Sequence, residues 1–382
     1  MLTDAPPNGV RSGQPAAGAR RATITDVAEA LGVSKGTVSR ALNGYPDISD
    51  RTRQRVRQAA ERMGYLPSAQ AKAIRTGRVG AIGLVLQVGE PDEQRPFLAD
   101  FLAGLTTAAS AENCSLTIAT AQDDGETRAV LTRLIAERKA DGFILPRTRL
   151  SDPRIDLLRA AGVPFVLFGR TGDPTGCAWF DLLGEAAMDE AVRRLHAHGH
   201  QRIGYLGGGA GLAYNALRLE GYRRALATLG LPCDPALETH GATTMETGAA
   251  GTARLLAGAE PPTALVCATD MGALGAHRAA REAGLMVGRD LSLIGYDGVP
   301  EGAWVAPPLT TFEVDNRAAG ARLAALLIRR IRGEPPEALR ETARARLCPR
   351  GSDGPPALSS AALARRVAAT TSRHHDTKGG RP

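Results

Sequence analysis

Few residue groupings in this 382-residue chain have types and spacings that could do chemistry by themselves. Gly207-Gly208-Gly209-Ala210-Gly211 follows an apolar run and precedes a helical pattern, as a dinucleotide-binding loop would. Leu212, however, stands where G-x-G-x-x-G needs its third glycine, and no Walker pattern occurs. His196, His198 and His200 are close enough to suggest a metal, but no carboxylates accompany them at ligand spacing, so they read as a solvated helix end. Cys114, Cys177, Cys233, Cys267 and Cys348 are scattered, odd in number and without a CxxC pair, which points to neither a disulfide framework nor a zinc site. No Ser-His-Asp order can be defended. What remains is charge. Residues 1–80 hold 13 Lys and Arg against 6 Asp and Glu, whereas the rest of the chain carries 34 of each, so the whole excess of +7 sits at the N-terminal end. A polyanionic partner for that end is the natural reading, with no enzyme activity and no cofactor expected.

The elements that carry this charge follow from periodicity. Ile24, Val27, Ala28 and Leu31 recur at i, i+3, i+4 and i+7, one apolar stripe of a short helix. Thr25 is the expected cap, Asp26 favours the positive end, and Gly32 is the left-handed stop. Ser34 caps a second helix with Val38, Ala41 and Leu42 inside. This is a helix-turn-helix pattern, whose second helix can lie in a DNA major groove. Ser49-Asp50 opens a third helix, with Val56, Ala59, Ala60 and Met63 closing the core and Gly64 ending it. Ser68 to Gly77 fits about two more helical turns. A helix this short is marginal in water, so it reads as a hinge that orders on DNA.

From Val79 the texture changes to short apolar runs, such as Ala81–Leu86, Gly142–Leu145, Ile203–Leu206 and Leu291–Tyr296, separated by amphipathic helices. That alternation predicts parallel sheets with helices on both faces. About 270 residues suit two such lobes better than one sheet. The expected order is a disordered tail (1–21), an all-α helix-turn-helix headpiece (22–66), a hinge helix (67–78), two doubly wound α/β lobes (79–350) and a second disordered tail (351–382). No apolar run is long enough to cross a bilayer, and the N-terminus lacks an export pattern, so a cytoplasmic protein is expected.

Several motifs occur together in one order. Thr23-Ile24-Thr25-Asp26-Val27-Ala28, Gly32-Val33-Ser34, Thr37–Asn43 and Gly64-Tyr65-Leu66-Pro67 resemble the N-terminal module of the LacI/GalR family of transcription regulators. Gly199–Gly207, Arg218–Tyr222, Ile294–Gly298 and Pro307–Thr311 resemble its downstream segments, and the resemblance covers about residues 22–350. It implies a dimer on a palindromic double-stranded operator, or a tetramer built from two such dimers. The two lobes resemble periplasmic sugar-binding proteins, which implies a small effector, expected to be a sugar, in the cleft between them, and by family habit the expected role is repression of a carbohydrate-utilisation operon.

The same resemblance assigns roles. Lys35 and Gly36 fall on the principal base-reading positions and Arg40 on a third. Arg can bond guanine O6 and N7 together, and Lys can reach them as a point charge. Gly36 has no side chain to read with. Ser34, Thr37, Ser39 and Asn43 suit phosphate contacts, and Thr23 joins them at the DNA. Ile74 matches the hinge wedge that enters the minor groove, with Ala71 and Lys72 beside it. For the effector, ligands of open α/β sheets bind beyond strand C-termini. That rule collects Arg147, Arg149, Phe168, Arg170, Tyr214, Asn215, Arg218, Thr269, Asp270 and Asp297, and Phe97 adds a ring that can stack on a ligand. Arg218 and Asp297 match the family's effector-contacting Arg and Asp. The segments around Arg147 and Arg170 are similar to members that sense α-glucosides. The alternatives are a nucleobase or another metabolite as effector, activation rather than repression, and a sugar-binding protein that does not regulate.

Overall fold

A computed structural model describes residues 22–65, 77–88 and 95–378. It divides into two compact units, Met1–Arg78 and Val79–Pro382. In the first, α1 (Ile24–Leu31), α2 (Lys35–Leu42) and α3 (Asp50–Arg62) enclose Val27, Ala28, Val38, Ala41, Val56 and Ala59. The cap of α1 is Thr23, not Thr25. Its hydroxyl accepts from Asp26 N while the Asp26 carboxylate accepts from Thr23 N at 2.6 Å, a reciprocal box that starts the helix two residues earlier. Ser34 and Ser49 cap α2 and α3 as expected, and Gly32 takes φ 66°. Met63 is exposed at the end of α3, and Ile48 and Tyr65 fill the edge of the core instead. The hinge positions 66–76 lie outside the described residues, including Ala71, Lys72 and Ile74.

The second unit begins with a parallel sheet: β1 (Ala81–Gln87), β2 (Ser115–Ala121), β3 (Gly142–Leu145), β4 (Phe165–Phe168) and β5 (Ala178–Asp181). The helices α4 (Arg95–Ala111), α5 (Asp124–Ala136) and α6 (Pro153–Ala160) connect the first four strands. The chain then crosses to a second lobe, where α7 (Gly184–Ala197), β6 (Ile203–Leu206), α8 (Ala213–Leu229), β7 (Glu238–Thr239), α9 (Met245–Leu256), β8 (Ala264–Cys267), α10 (Asp270–Glu282), β9 (Ser292–Asp297) and β10 (Thr310–Glu313) follow. It returns for α11 (Asn316–Ile331) and β11 (Arg340–Thr342), and crosses again for β12 (Arg346–Cys348). The strand orders are β11-β5-β4-β3-β1-β2 and β12-β10-β9-β8-β6-β7, parallel throughout except where β12 meets β10. α4 and α11 cover the first lobe together. Gly104 and Gly320 let their backbones touch, since a Cβ on either would run into the facing main chain. Each lobe is thus a doubly wound sheet, as the alternation predicts, with its strand C-termini facing one shared cleft.

The expectation of a disordered tail from residue 351 is overturned. Ser352 Oγ donates to Leu293 O and accepts from Thr310 N, both at 2.7 Å, across the lower ends of β9 and β10. The buried Asp353 carboxylate pairs with Arg194 at 2.6 Å and His198 at 3.1 Å. The helix α12 (Ser360–Lys378) follows, with Leu363 fully buried among Leu285, Val287 and Leu291. Two of the three clustered histidines, His198 and His200, are likewise part of this seal rather than a solvated helix end. His200 is buried between Thr263 and Gly354 O, and burial pulls its imidazole down to about 4.

Candidate functional site

The first candidate surface is α2. Val38 and Ala41 anchor it in the core and leave Ser34, Lys35, Gly36 and Arg40 exposed. Ser34 Oγ caps Thr37 N at 3.0 Å and bonds the Thr37 hydroxyl, so those two side chains brace the first turn. That turn has no acidic residue, so its free N–H groups and positive dipole end favour an anion. A Cβ at Gly36 would meet only Ser34 Oγ, so its missing side chain is not dictated by crowding. Asn43 Nδ2 donates to Ser39 O at 2.6 Å and closes the other end. Arg40 projects from the last turn, 2.5 Å from the Asp47 carboxylate and with its guanidinium 5.7 Å from the Tyr45 ring centroid.

The second candidate is the cleft between the lobes, a cavity of about 400 Å³. The first lobe supplies Arg147, Thr148, Phe168, Gly169, Arg170 and Asp181; the second supplies Tyr214, Arg218, Thr269, Tyr296, Asp297 and Glu313. Topology explains the grouping, because β3, β4, β5, β8, β9 and β10 all end there. Arg218 is its centre. The guanidinium lies 3.7 Å from the Tyr296 ring centroid and 4.7 Å from that of Tyr214, and it donates through Nη1 to Ala268 O. Its Nε is buried with no hydrogen-bond partner. Burial works against the charge, but Tyr296 and Asp297 more than compensate and carry the group above its ordinary value. A buried, charged donor with an unfilled N–H is a strong demand for an oxygen ligand. Gly184 makes room for it: a Cβ there would lie 2.9 Å from Arg218 Nε. Asp297 sits at φ 129°, a region non-glycine residues rarely occupy, so its placement is held against backbone strain.

Several expected residues serve other ends. Arg149 pairs with Asp124 at 2.8 Å in a small neighbouring crevice, not in the main cavity. Its backbone bridges Leu212 across the lobes, and Ala213 N donates to Thr148 O at 2.8 Å. Asn215 is buried behind the cleft, where its carbonyl accepts from Gly208 N at 2.9 Å and Tyr205 OH at 3.3 Å and shapes the glycine loop. Asp270 is fully buried. It accepts from Thr311 OH, Gly298 N and Val299 N at 2.7–2.9 Å, so it braces the loop that presents Asp297 rather than touching a ligand. Thr269 does line the cavity, but its hydroxyl caps α10 and donates to Ala242 O. Arg170 is held by Asp181 at 2.8 Å and Glu185 at 2.6 Å, joining the first lobe to the start of α7. Burial raises the Asp181 carboxyl although Arg170 opposes it. The Phe97 side chain lies outside the described residues. Asp181, Tyr296 and Glu313 were not anticipated in the cleft. The first and last stand at the ends of β5 and β10, four-residue strands whose polar residues interrupt any apolar run.

Among the described residues, no helix is long and apolar enough to cross a membrane, and no group of three or more His, Cys, Asp or Glu is arranged to hold a metal. Two family models match the chain: bacterial regulatory proteins of the lacI family over residues 23–68, and a periplasmic binding protein-like domain over residues 192–352. The HTH-type transcriptional regulator AglR of Rhizobium meliloti is 39% identical over 340 residues, covering 87% of this chain and 94% of that one. The regulator CelR of Thermobifida fusca is 32% identical, covering 84% and 95%. A solved transcriptional regulator CelR-cellobiose complex superposes with a TM-score of 0.67 at 30% identity, over 87% of this chain and all of that one. The lac repressor dimer bound to operator and an anti-inducer gives 0.73 at 27% identity, over 87% and 99%.

Proposed function

Because the chain belongs to the LacI family of bacterial transcription regulators, we propose that it acts as a cytoplasmic homodimer on a palindromic operator and represses genes for the use of a sugar it senses. In this reading Lys35 and Arg40 contact bases from α2. Ser34, Thr37, Ser39 and Asn43 position the helix on phosphates, and the segment around Ile74 enters the minor groove between half-sites. One helix reads too few base pairs for specificity, which is why two are needed.

The observation that carries the effector reading is Arg218, buried between two tyrosines with Nε unfilled. Aromatic faces suit the apolar side of a pyranose. Arg218, Asp181, Asp297 and Glu313 offer the donors and acceptors that its hydroxyls need. The cavity falls within the roughly 300–1,000 Å³ that small ligands occupy. That a solved relative is a complex with cellobiose supports a glycoside of one or two rings over a nucleobase. Sugar contacts from both lobes would fix their relative angle and so the spacing of the hinges, which sets operator affinity. The test is direct. The full chain is used to select a duplex from a random pool, and binding is then measured with glucose, cellobiose, maltose and sucrose. A salt-sensitive complex weakened by one of these sugars, with matching thermal stabilisation, is expected. Stabilisation by a nucleobase alone would refute the sugar, and failure to select any duplex would refute the operator reading.

A further inference from the structure

The loop after α2 is held more firmly than a plain connection requires. Arg53 of α3 reaches back and donates through Nη2 to Tyr45 O and Ile48 O, both at 3.1 Å, while Nη1 bonds Asp50 at 2.8 Å. Tyr45 N donates to Arg40 O at 3.1 Å, and Ile48 N to Tyr45 O at 3.2 Å. Asp47 lies between the two clamped carbonyls. The backbone that carries its carboxylate is thus held in place, with the carboxylate 2.5 Å from Arg40 Nη2 and the Tyr45 ring flanking the same guanidinium. As a source of stability this exposed pair is worth little. Its geometry matters more. A guanidinium has five N–H donors; Asp47 uses one, and a guanine edge needs two. The carboxylate therefore leaves the fork able to read a base while it removes the freedom to swing toward phosphate.

We infer that Asp47 is a positioning residue for base recognition. It holds the Arg40 guanidinium in a base-reading orientation, and its negative charge lowers affinity for DNA of any other sequence. The inference rests on the reading of Arg40 as a base-contacting side chain. The Arg53 clamp supplies the rigidity, so Arg53, Asp47 and Arg40 act as one chain from α3 to the groove.

The experiment uses the full-length protein, a duplex it selects from a random pool, single-base substitutions of that duplex and a scrambled duplex of equal length. Arg40→Ala identifies the symmetric base pair whose preference Arg40 supplies. Asp47→Ala is expected to reduce discrimination at that pair about three- to fivefold, leave the other positions within about twofold, and tighten scrambled-duplex binding a few-fold at low salt. In the Arg40→Ala background, Asp47→Ala should cause no further loss of discrimination. Asp47→Glu should restore part of it. Asp47→Asn, which keeps the acceptor and removes the charge, gives an intermediate value and serves if the alanine variant folds poorly. Loss spread evenly over all base positions, or unchanged discrimination at the Arg40 position, overturns the inference. If Arg40→Ala alters no position selectively, the base-reading assignment itself has failed and the Asp47 role falls with it.

Discussion

Replacing Asp353 tests whether the C-terminal segment is part of the second lobe. The carboxylate is fully buried and accepts from Arg194 Nε at 2.6 Å, His198 Nε2 at 3.1 Å and Thr310 OH at 2.5 Å. In Asp353→Ala all three donors lose this acceptor. Removing one partner of a buried ion pair costs about 3–5 kcal/mol when the other is left stranded. Arg194 and His198 are each 29% exposed, so water recovers part of that. Thr310 is fully buried, but its oxygen still accepts from Arg350 N at 2.8 Å. The net expectation is about 2–3 kcal/mol, with Asp353→Asn costing about half as much because it keeps an acceptor. At roughly 2–4 °C per kcal/mol for a domain of this size, Tm should fall by about 5–10 °C. Trp179 and Trp304 are the chain's two tryptophans, and both lie beyond Val79. Tryptophan fluorescence during urea or thermal unfolding therefore reports on the α/β unit without interference from the headpiece. A loss below about 0.5 kcal/mol, or an asparagine variant less stable than the alanine one, would refute the assignment of a buried, hydrogen-bonded carboxylate.

Other outcomes are equally specific. His200 is held neutral by burial, with its folded pKa at about 4 against an ordinary 6.5. The unfolded chain binds a proton first, so stability is lost as pH falls from about 6.5 toward 4, by about 3 kcal/mol in all. His200→Gln should flatten that part of the stability–pH curve; an unchanged slope would count against it. Gly184→Ala should displace Arg218 and weaken binding of the stabilising sugar at least tenfold by calorimetry, with operator binding retained in the absence of sugar. Equal sugar affinity would show that Arg218 is not a contact. Ile74→Lys should weaken specific operator binding, by about tenfold or more, while sparing sugar binding; unchanged operator affinity would remove the wedge role.

The two lobes were legible because their central strands are buried on both faces and read as apolar runs, as in Ala81–Leu86. β5, β10, β11 and β12 were not, being three or four residues long and partly polar, and β7 has only two. Missing β5 and β10 also hid Asp181 and Glu313, since the rule that ligands gather at strand ends needs the strand first. Arg149, Asn215 and Asp270, expected to contact the effector, lie beside the cleft rather than in its lining. Spacing along the chain cannot tell a side chain that points into a cavity from one that turns sideways to brace it. The C-terminal segment escaped for another reason. Ser352 and Asp353 anchor it through polar bonds to residues far away in the chain, which leave no local period to read.

The chain's repeated crossing between lobes has a consequence for its synthesis. The first lobe draws on residues 81–181 and again on 316–342, while the second draws on 184–313 and again on 346–363. On a ribosome, therefore, both sheets wait for strands made well over a hundred residues after their first ones, whereas residues 22–65 contain every described member of the headpiece core. Domains generally fold as units, N-terminal first. A nascent or prematurely terminated chain would present a finished DNA reader joined to two incomplete lobes with exposed apolar edges. Such a product would be a substrate for chaperones and proteases before it could compete for an operator without answering to an effector.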